Sequence, residues 1–306
     1  MSIHERLGNF PGDHTIIQLA NSNGTCYINS ILQSMFNLPS IIQYLEEVEE
    51  KLVQLNLKEE NEQSLFGLFL KIYIDSMRAP QNEVYYEPNY FLDELFKTLT
   101  MFQRGNQADA FDFYHQMLIS FDQSNTFMNE IIGKNEIPLF SSFFRIVIDE
   151  NYYRRHEFIN YCAITVLPNN EGLEKAIEKW MTPARGISRT FYELPQIFCL
   201  RINVFTVENG ELKKNFTKTP IPLGFSLRER DSEVNYTFIS SVIHNGDHFN
   251  DGHFISIFYT CDRIIVGDDA NFWGLNDEQL SNFLEFNEVP GSEKSSAIYI
   301  LFYQRI

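Results

Sequence analysis

Asn21-Ser22-Asn23-Gly24-Thr25-Cys26-Tyr27-Ile28-Asn29-Ser30-Ile31-Leu32-Gln33 reads as a turn running straight into a helix. Asn-Gly marks the turn, and Thr25 is placed to cap the helix. Ile28, Ile31, Leu32, Met35 and Phe36 follow at i, i+3, i+4, i+7 and i+8, which is one apolar helical face. Pro39 is expected to stop the helix. Cys26 then lies in its first turn, where orphan N–H groups and the helix dipole favour a thiolate, the nucleophilic form. The alternative is a buried thiol packed as a small hydrophobe, and the local pattern does not choose between them.

Outward from this stretch, the first ~125 residues carry amphipathic helical periodicity. Helices are expected over Ile41–Leu57, Ser64–Met77, Pro88–Leu99 and Gln107–Phe121. Beyond residue 138 the texture becomes β-branched and aromatic. Strands are expected over Phe143–Ile148, Phe158–Leu167, Ile197–Thr206, Thr237–Ile243, His253–Thr260, Arg263–Gly267 and Ala297–Gln304. A short helix, Leu173–Met181, interrupts them, and Glu208-Asn209-Gly210-Glu211 is a hairpin turn. Helices first and strands later indicate an α+β fold. We expect one domain over 1–306, with a helical part over about 15–125 and a strand-rich part over about 126–306.

With 306 residues, 44% of them apolar and 28 of them Phe, the chain has ample core. Its net charge of −17 argues against nucleic-acid or anionic-membrane surfaces and suits a neutral or basic partner. Cys26, Cys162, Cys199 and Cys261 are widely spaced with no C-x-x-C, which fits neither a disulfide framework nor a zinc site. That usage suits a reducing compartment, cytoplasmic or nuclear. Met1 to Phe10 lacks the apolar core of a secretory signal. No run approaches the ~18 apolar residues of a membrane span.

A reactive Cys26 needs a base. His253 follows Gly252 at the entry of a strand, and His244 lies upstream in Val242-Ile243-His244-Asn245-Gly246. Chemistry alone does not separate the two.

The opening stretch resembles the cysteine box of the ubiquitin-specific proteases, G-L-x-N-x-G-N-T-C-Y-x-N-S-x-L-Q. Asn21, Thr25, Cys26, Tyr27, Asn29, Ser30, Leu32 and Gln33 fall on its fixed positions, and its Gly-Asn is inverted to Asn23-Gly24. Gln107-Ala108-Asp109-Ala110-Phe111-Asp112-Phe113 is similar to the family's Q-Q-D-A-x-E-F. Tyr236, Phe238, Val242, His244 and Gly246, then Gly252-His253-Phe254, follow its histidine box. Ile264-Ile265-Val266-Gly267-Asp268-Asp269 keeps the acidic pair of W-x-x-F-D/N-D but neither aromatic. Leu194-Pro195-Gln196-Ile197-Phe198 and the closing Ala297 to Tyr303 complete a resemblance running from about Leu19 to Tyr303.

The resemblance implies a papain-like fold with helical thumb, β palm and short fingers. It implies a thiol protease that hydrolyses the isopeptide or peptide bond after the C-terminal glycine of ubiquitin. Cys26 is then the nucleophile, His253 the base and His244 a structural residue. Asp268 orients His253, with a carboxylate expected on imidazole Nδ1; its other reading is a turn residue in Gly-Asp-Asp. Asp269 takes a supporting polar position, Asn21 donates to the oxyanion, and Gln107 and Asp109 border the substrate cleft. Asp109 is expected to pair with an arginine of the ubiquitin tail.

Many family members hold the fingers with paired C-x-x-C zinc ligands. Ser141 to Glu193 contains only Cys162, so neither a structural zinc nor any cofactor is expected. Phe143, Phe144, Tyr152, Tyr153, Phe158 and Tyr161 are expected to hold that lobe instead. The implied partners are ubiquitin and ubiquitinated proteins, with the enzyme a monomer. Two other readings fit the same residues: a non-catalytic ubiquitin-binding scaffold, and a protease for another ubiquitin-like modifier.

Overall fold

The computed structural model describes residues 16–306 except 58–60, 80–82, 153–154, 185, 249–250, 261–262 and 292–294. Met1 to Phe10, Tyr153 and Cys261 lie outside the described residues. The helical half contains α1 (Cys26–Met35), α2 (Pro39–Leu55), α3 (Leu65–Met77), α4 (Asn89–Thr98) and α5 (Ala110–Ile132). A two-stranded parallel sheet, β1 (Ile16–Leu19) with β2 (Glu83–Tyr86), accompanies them and was not expected from the sequence.

A 3-10 turn (Phe140–Phe144) leads into β3 (Ile146–Tyr152), β4 (Arg155–Tyr161) and β5 (Ile164–Val166), then α6 (Leu173–Met181). There follow β6 (Ile187–Glu193), β7 (Ile197–Ile202), β8 (Phe205–Glu208), β9 (Glu211–Lys214), β10 (Gly224–Glu229) and β11 (Ser232–His248). The chain closes with β12 (Asp251–Thr260), β13 (Arg263–Asp268), β14 (Asn271–Gly274), α7 (Asp277–Phe286) and β15 (Ala297–Arg305). The main sheet runs β14-β13-β12-β11-β10-β6-β3-β4, with β15 joining β11 to β7 and β5 on β7. This is the expected α+β, papain-like arrangement.

Several boundaries differ from expectation, each for a local reason. Pro39 does not terminate α1, which ends four residues earlier; it is the first residue of α2, where a missing N–H costs nothing. The Gln107 helix starts at Ala110 because Asp109 Oδ1 accepts from Phe111 N and Asp112 N and caps it there. It then runs to Ile132, where Gly133 at φ +71° closes it. Phe143 and Phe144 are not in a strand. They sit in the 3-10 turn, with Phe143 against Tyr44 and Phe144 against Tyr114. The fingers are held by Tyr161 on Trp180, Trp180 on Phe191, and Phe158 on Tyr192. The α7 helix was not anticipated, although Asn276 and Gln279 form a capping box at its start.

The abundant Phe builds the helical core. Phe121 meets Phe66, Phe69 and Phe140 at centroid distances of 5.4, 5.0 and 5.1 Å, within the range where ring pairs stabilise. The expected single apolar face of α1 is a finding of a different kind. All ten of its residues are buried, the polar ones included, because its polar side faces the sheet and not solvent.

Candidate active site

Cys26 is the first residue of α1 and 2% exposed. Its N–H, like every first-turn N–H, has no acceptor within the helix. Thr25 occupies the capping position but does not cap. Its hydroxyl is turned back, accepting from Ser22 N at 3.0 Å and lying 3.4 Å from Asn21 Oδ1. Asn23 at φ +57° and Gly24 at φ +84° form the pair of left-handed residues that a tight reversal needs. The reversal brings Gly24 N and Thr25 N to 3.1 and 3.2 Å from Asn21 Oδ1. The inverted Asn-Gly order is therefore compatible with a closed turn. That turn also abuts the loop before α5, where a Cβ on Gly24 would lie 3.7 Å from Gln107 Cγ. Gln107 itself is exposed.

His253 enters β12 directly opposite Asn245 on β11. Its Nε2 lies 2.5 Å from Asp268 Oδ1 at the end of β13, and 3.9 Å from Asp269 Oδ2. The expectation of a carboxylate on Nδ1 is thus corrected: Asp268 holds Nε2, and Nδ1 is left for the thiol. Hydrogen bonding to Asp268 and then to Cys26 raises the imidazole pKa to about 10, against the opposing effect of burial. The imidazolium is consequently the neutral-pH form of His253. The two acids have distinct partners, so the geometry separates them. Asp268 serves the imidazole, and Asp269 serves α1.

Asp269 Oδ2 accepts from Asn21 Nδ2 at 2.7 Å and Oδ1 from Asn29 Nδ2 at 2.8 Å, while its carbonyl accepts from Gln33 Nε2 at 2.7 Å. Burial raises its carboxyl pKa, partly opposed by Asn29 and Asn21. Asn29 and Gln33, on matched box positions but given no role, are what anchor the acid. The available signal was two amides at i, i+4 on a helix with an apolar face. Gln33 Oε1 also accepts from Ser256 Oγ at 2.7 Å, so one amide ties α1 to both β12 and β13.

One of the two aromatics missing from the acid-bearing strand has a replacement. Gly267 pairs across the ladder with Phe272 of β14, and a Cβ on Gly267 would lie 2.9 Å from the Phe272 ring. A neighbouring strand supplies the ring that the glycine lacks.

Asp109 is 7% exposed and already engaged. Oδ1 caps α5, while Oδ2 accepts from Tyr299 Oη and lies 3.4 Å from Arg201 Nη2. The Arg201 guanidinium lies over the Phe111 and Tyr299 rings. The chain thus furnishes its own guanidinium for Asp109, a partner that sequence reasoning missed. His253, Asp268 and Asp269 place metal-ligand-type atoms within 4.8 Å of one another, but they are bonded to each other and to α1.

The profile of the family "Ubiquitin carboxyl-terminal hydrolase" matches residues 17–303. No curated protein matches the sequence. Among solved structures, the SAGA DUB module of Ubp8, Sgf11, Sus1 and Sgf73 bound to monoubiquitin aligns at 14% identity with a TM-score of 0.74, covering 94% of this chain and 69% of that one. The same module bound to ubiquitin aldehyde aligns at 15% identity and a TM-score of 0.73, with the same coverages. A yeast SAGA module with an Sgf73 mutant gives 17% identity and a TM-score of 0.71, covering 94% of this chain and 66% of that one. At these identities the likeness is one of fold.

Proposed function

The chain belongs to the ubiquitin carboxyl-terminal hydrolase family, and from that membership we propose that Cys26, His253 and Asp268 hydrolyse the bond following the C-terminal glycine of ubiquitin. It is a cysteine-type deubiquitinating hydrolase. The residue roles are supported by one arrangement: His253 Nε2 is held 2.5 Å from Asp268, and the imidazole's pKa is raised by that carboxylate and next by the Cys26 thiol at the helix N-terminus. The Cys26 thiolate attacks the glycine carbonyl carbon, and the carbonyl electrons move to oxygen. The Cys26 N–H and the second hydrogen of Asn21 Nδ2, whose first goes to Asp269, stabilise that oxyanion. The imidazolium of His253 gives its proton to the leaving amine as the C–N bond breaks, leaving a thioester. Neutral His253 then takes a proton from water, the hydroxyl adds to the thioester, and the thiolate departs.

Gln107, beside the cysteine turn, is assigned to the wall of the tail channel. Asp109 is assigned to the same region, acting through the group it shares with Arg201 and Tyr299. Asp269 supports the oxyanion donor and does not touch substrate. The net charge of −17 suits the basic tail of ubiquitin. We further infer that the chain acts as a monomer, which light scattering of the purified protein tests. A cytoplasmic or nuclear location fits its cysteine usage, and among the described residues no helix is long and apolar enough to cross a membrane.

The decisive experiment is ubiquitin bearing a C-terminal electrophile. A covalent adduct on Cys26, lost in Cys26→Ala while ubiquitin binding persists, is the expected result. Binding without any adduct would instead make the protein a ubiquitin-binding scaffold.

A further inference from the structure

Behind the catalytic imidazole lies a buried lysine. Lys214, the last residue of β9, is 7% exposed. Its ammonium lies 2.9 Å from His244 Nδ1, 3.0 Å from His244 O, 2.6 Å from Gly246 O and 2.6 Å from Ser295 O. An ammonium has three hydrogens and no lone pair. It can face His244 Nδ1 only if that nitrogen is the acceptor, so His244 is neutral with its hydrogen on Nε2. Burial first, then the Lys214 charge and that of His253, lower the His244 pKa to about 3.

The His244 ring is in turn a wall for the segment that delivers His253. It is 1% exposed and makes edge contacts with Phe205 and Phe254 at 5.2 and 4.9 Å. A Cβ on Gly252, the residue before His253, would meet His244 Nε2 at 2.6 Å and Asn245 O at 2.4 Å. Between Asn245 and His248 the pairing of β11 with β12 slips, and Gly246 has φ +112°. The β11 backbone opposite the entry to His253 is therefore irregular at the point where Lys214 holds the carbonyls of His244 and Gly246.

We propose that Lys214 is a positioning residue for His253: it fixes the tautomer of His244 and ties the irregular end of β11 to the β8–β9 hairpin, so that Gly252 and His253 seat against a ring of one orientation. The proposal rests on His253 being the catalytic base, and its first test does not depend on turnover. In wild-type protein with 15N-labelled histidine, His244, assigned by difference from His244→Gln, should give the neutral Nε2–H pattern at pH 7. An Nδ1–H tautomer or a charged ring there overturns the proposal, whether or not the enzyme is active.

The second test compares Lys214→Met and Lys214→Gln with wild type on a fluorogenic ubiquitin substrate. Loss of imidazole placement should lower kcat about tenfold or more, with KM held within about threefold because no substrate contact is removed. The His244 tautomer pattern should change in the same variants. Unchanged kcat, a loss confined to KM, or a kcat loss with the tautomer unmoved each overturns it. If neither variant folds, the wild-type spectrum decides. A wild-type chain that cleaves no ubiquitin bond would sink the functional reading, while that spectrum would still report on Lys214 and His244.

Discussion

Asn21 Nδ2 and Asp269 Oδ2 lie 2.7 Å apart, and 248 residues of chain separate them. Since Asn21 Oδ1 accepts from Gly24 N and Thr25 N, the orientation of its amide is fixed at both ends. The turn before Cys26 is thus held by an acid beside the one that holds His253. The two carboxylates divide the work, one for the imidazole and one for the oxyanion side.

The division gives opposite signatures for two conservative variants. Asp268→Asn should lower kcat/KM at least about a hundredfold, because the imidazolium loses its partner, and its stability loss near neutral pH should fade toward pH 10, where His253 gives up its proton in either protein. Asp269→Asn should cost about 1–3 kcal/mol of stability, since Asn21 and Asn29 lose a buried charged acceptor. Denaturant titration alongside steady-state kinetics reads both, and an Asp269→Asn loss that likewise fades at pH 10 would contradict the division.

Asn21→Ala removes the side-chain oxyanion donor. The expected loss is about 3 kcal/mol of transition-state stabilisation, roughly a hundredfold or more in kcat, with KM nearly constant. Asn21 also receives the Gly24 and Thr25 N–H groups, so a small fall in stability should accompany it. A rise in KM at constant kcat would place Asn21 in ground-state binding instead.

His253 carries a pKa raised from 6.5 to about 10. A raised folded-state value means that the folded form binds the proton more tightly than the unfolded chain does. The resulting stabilisation is complete below about pH 6.5 and is lost as pH rises through about 10. The stability gap between wild type and His253→Ala should therefore narrow from pH 6 to pH 10 in denaturant titrations. Activity should fall along an alkaline limb near pH 10, where the leaving amine loses its acid. In Asp268→Asn that limb should move to lower pH, because the chief cause of the shift is gone.

Arg201→Met strips Asp109 of its cation in a site where the carboxylate is 2% exposed. A buried charged acceptor so abandoned costs about 1–3 kcal/mol, and Asp109→Asn in the same chain should recover part of it. If Asp109 also meets an arginine of the substrate tail, Arg201→Met should lower KM as it lowers stability. Unchanged KM would confine this pair to holding α5 against β7.

The order of elements was legible because amphipathic helices and β-branched runs announce themselves locally, as over Ser64–Met77 and Ala297–Gln304. The proposed catalytic set rests on ordered motifs, since nothing near His253 or His244 ranks them. The partners were not legible, because they depend on which side chains the sheet brings beneath α1. Asn29 and Gln33 read as positions in a box until Asp269 stood against them. The place of Phe272 depends on the sheet setting it opposite Gly267. The burial of Lys214 has no local signal, since charge and position both predict solvent, and the carbonyls of His244, Gly246 and Ser295 beside it come from elsewhere in the chain.

The bond from Asn21 to Asp269 has a consequence for synthesis. A ribosome makes the thiol well before the base and both acids, which arrive only after residue 252. Until then Cys26 has no imidazole to pair with, and its turn lacks the carboxylate that anchors it. A chain cut short before β12 would carry the nucleophile without the proposed base or either acid. Pairing of the thiol is thus tied to completion of the sheet, and translation products that stop early are expected to be inert toward ubiquitin conjugates.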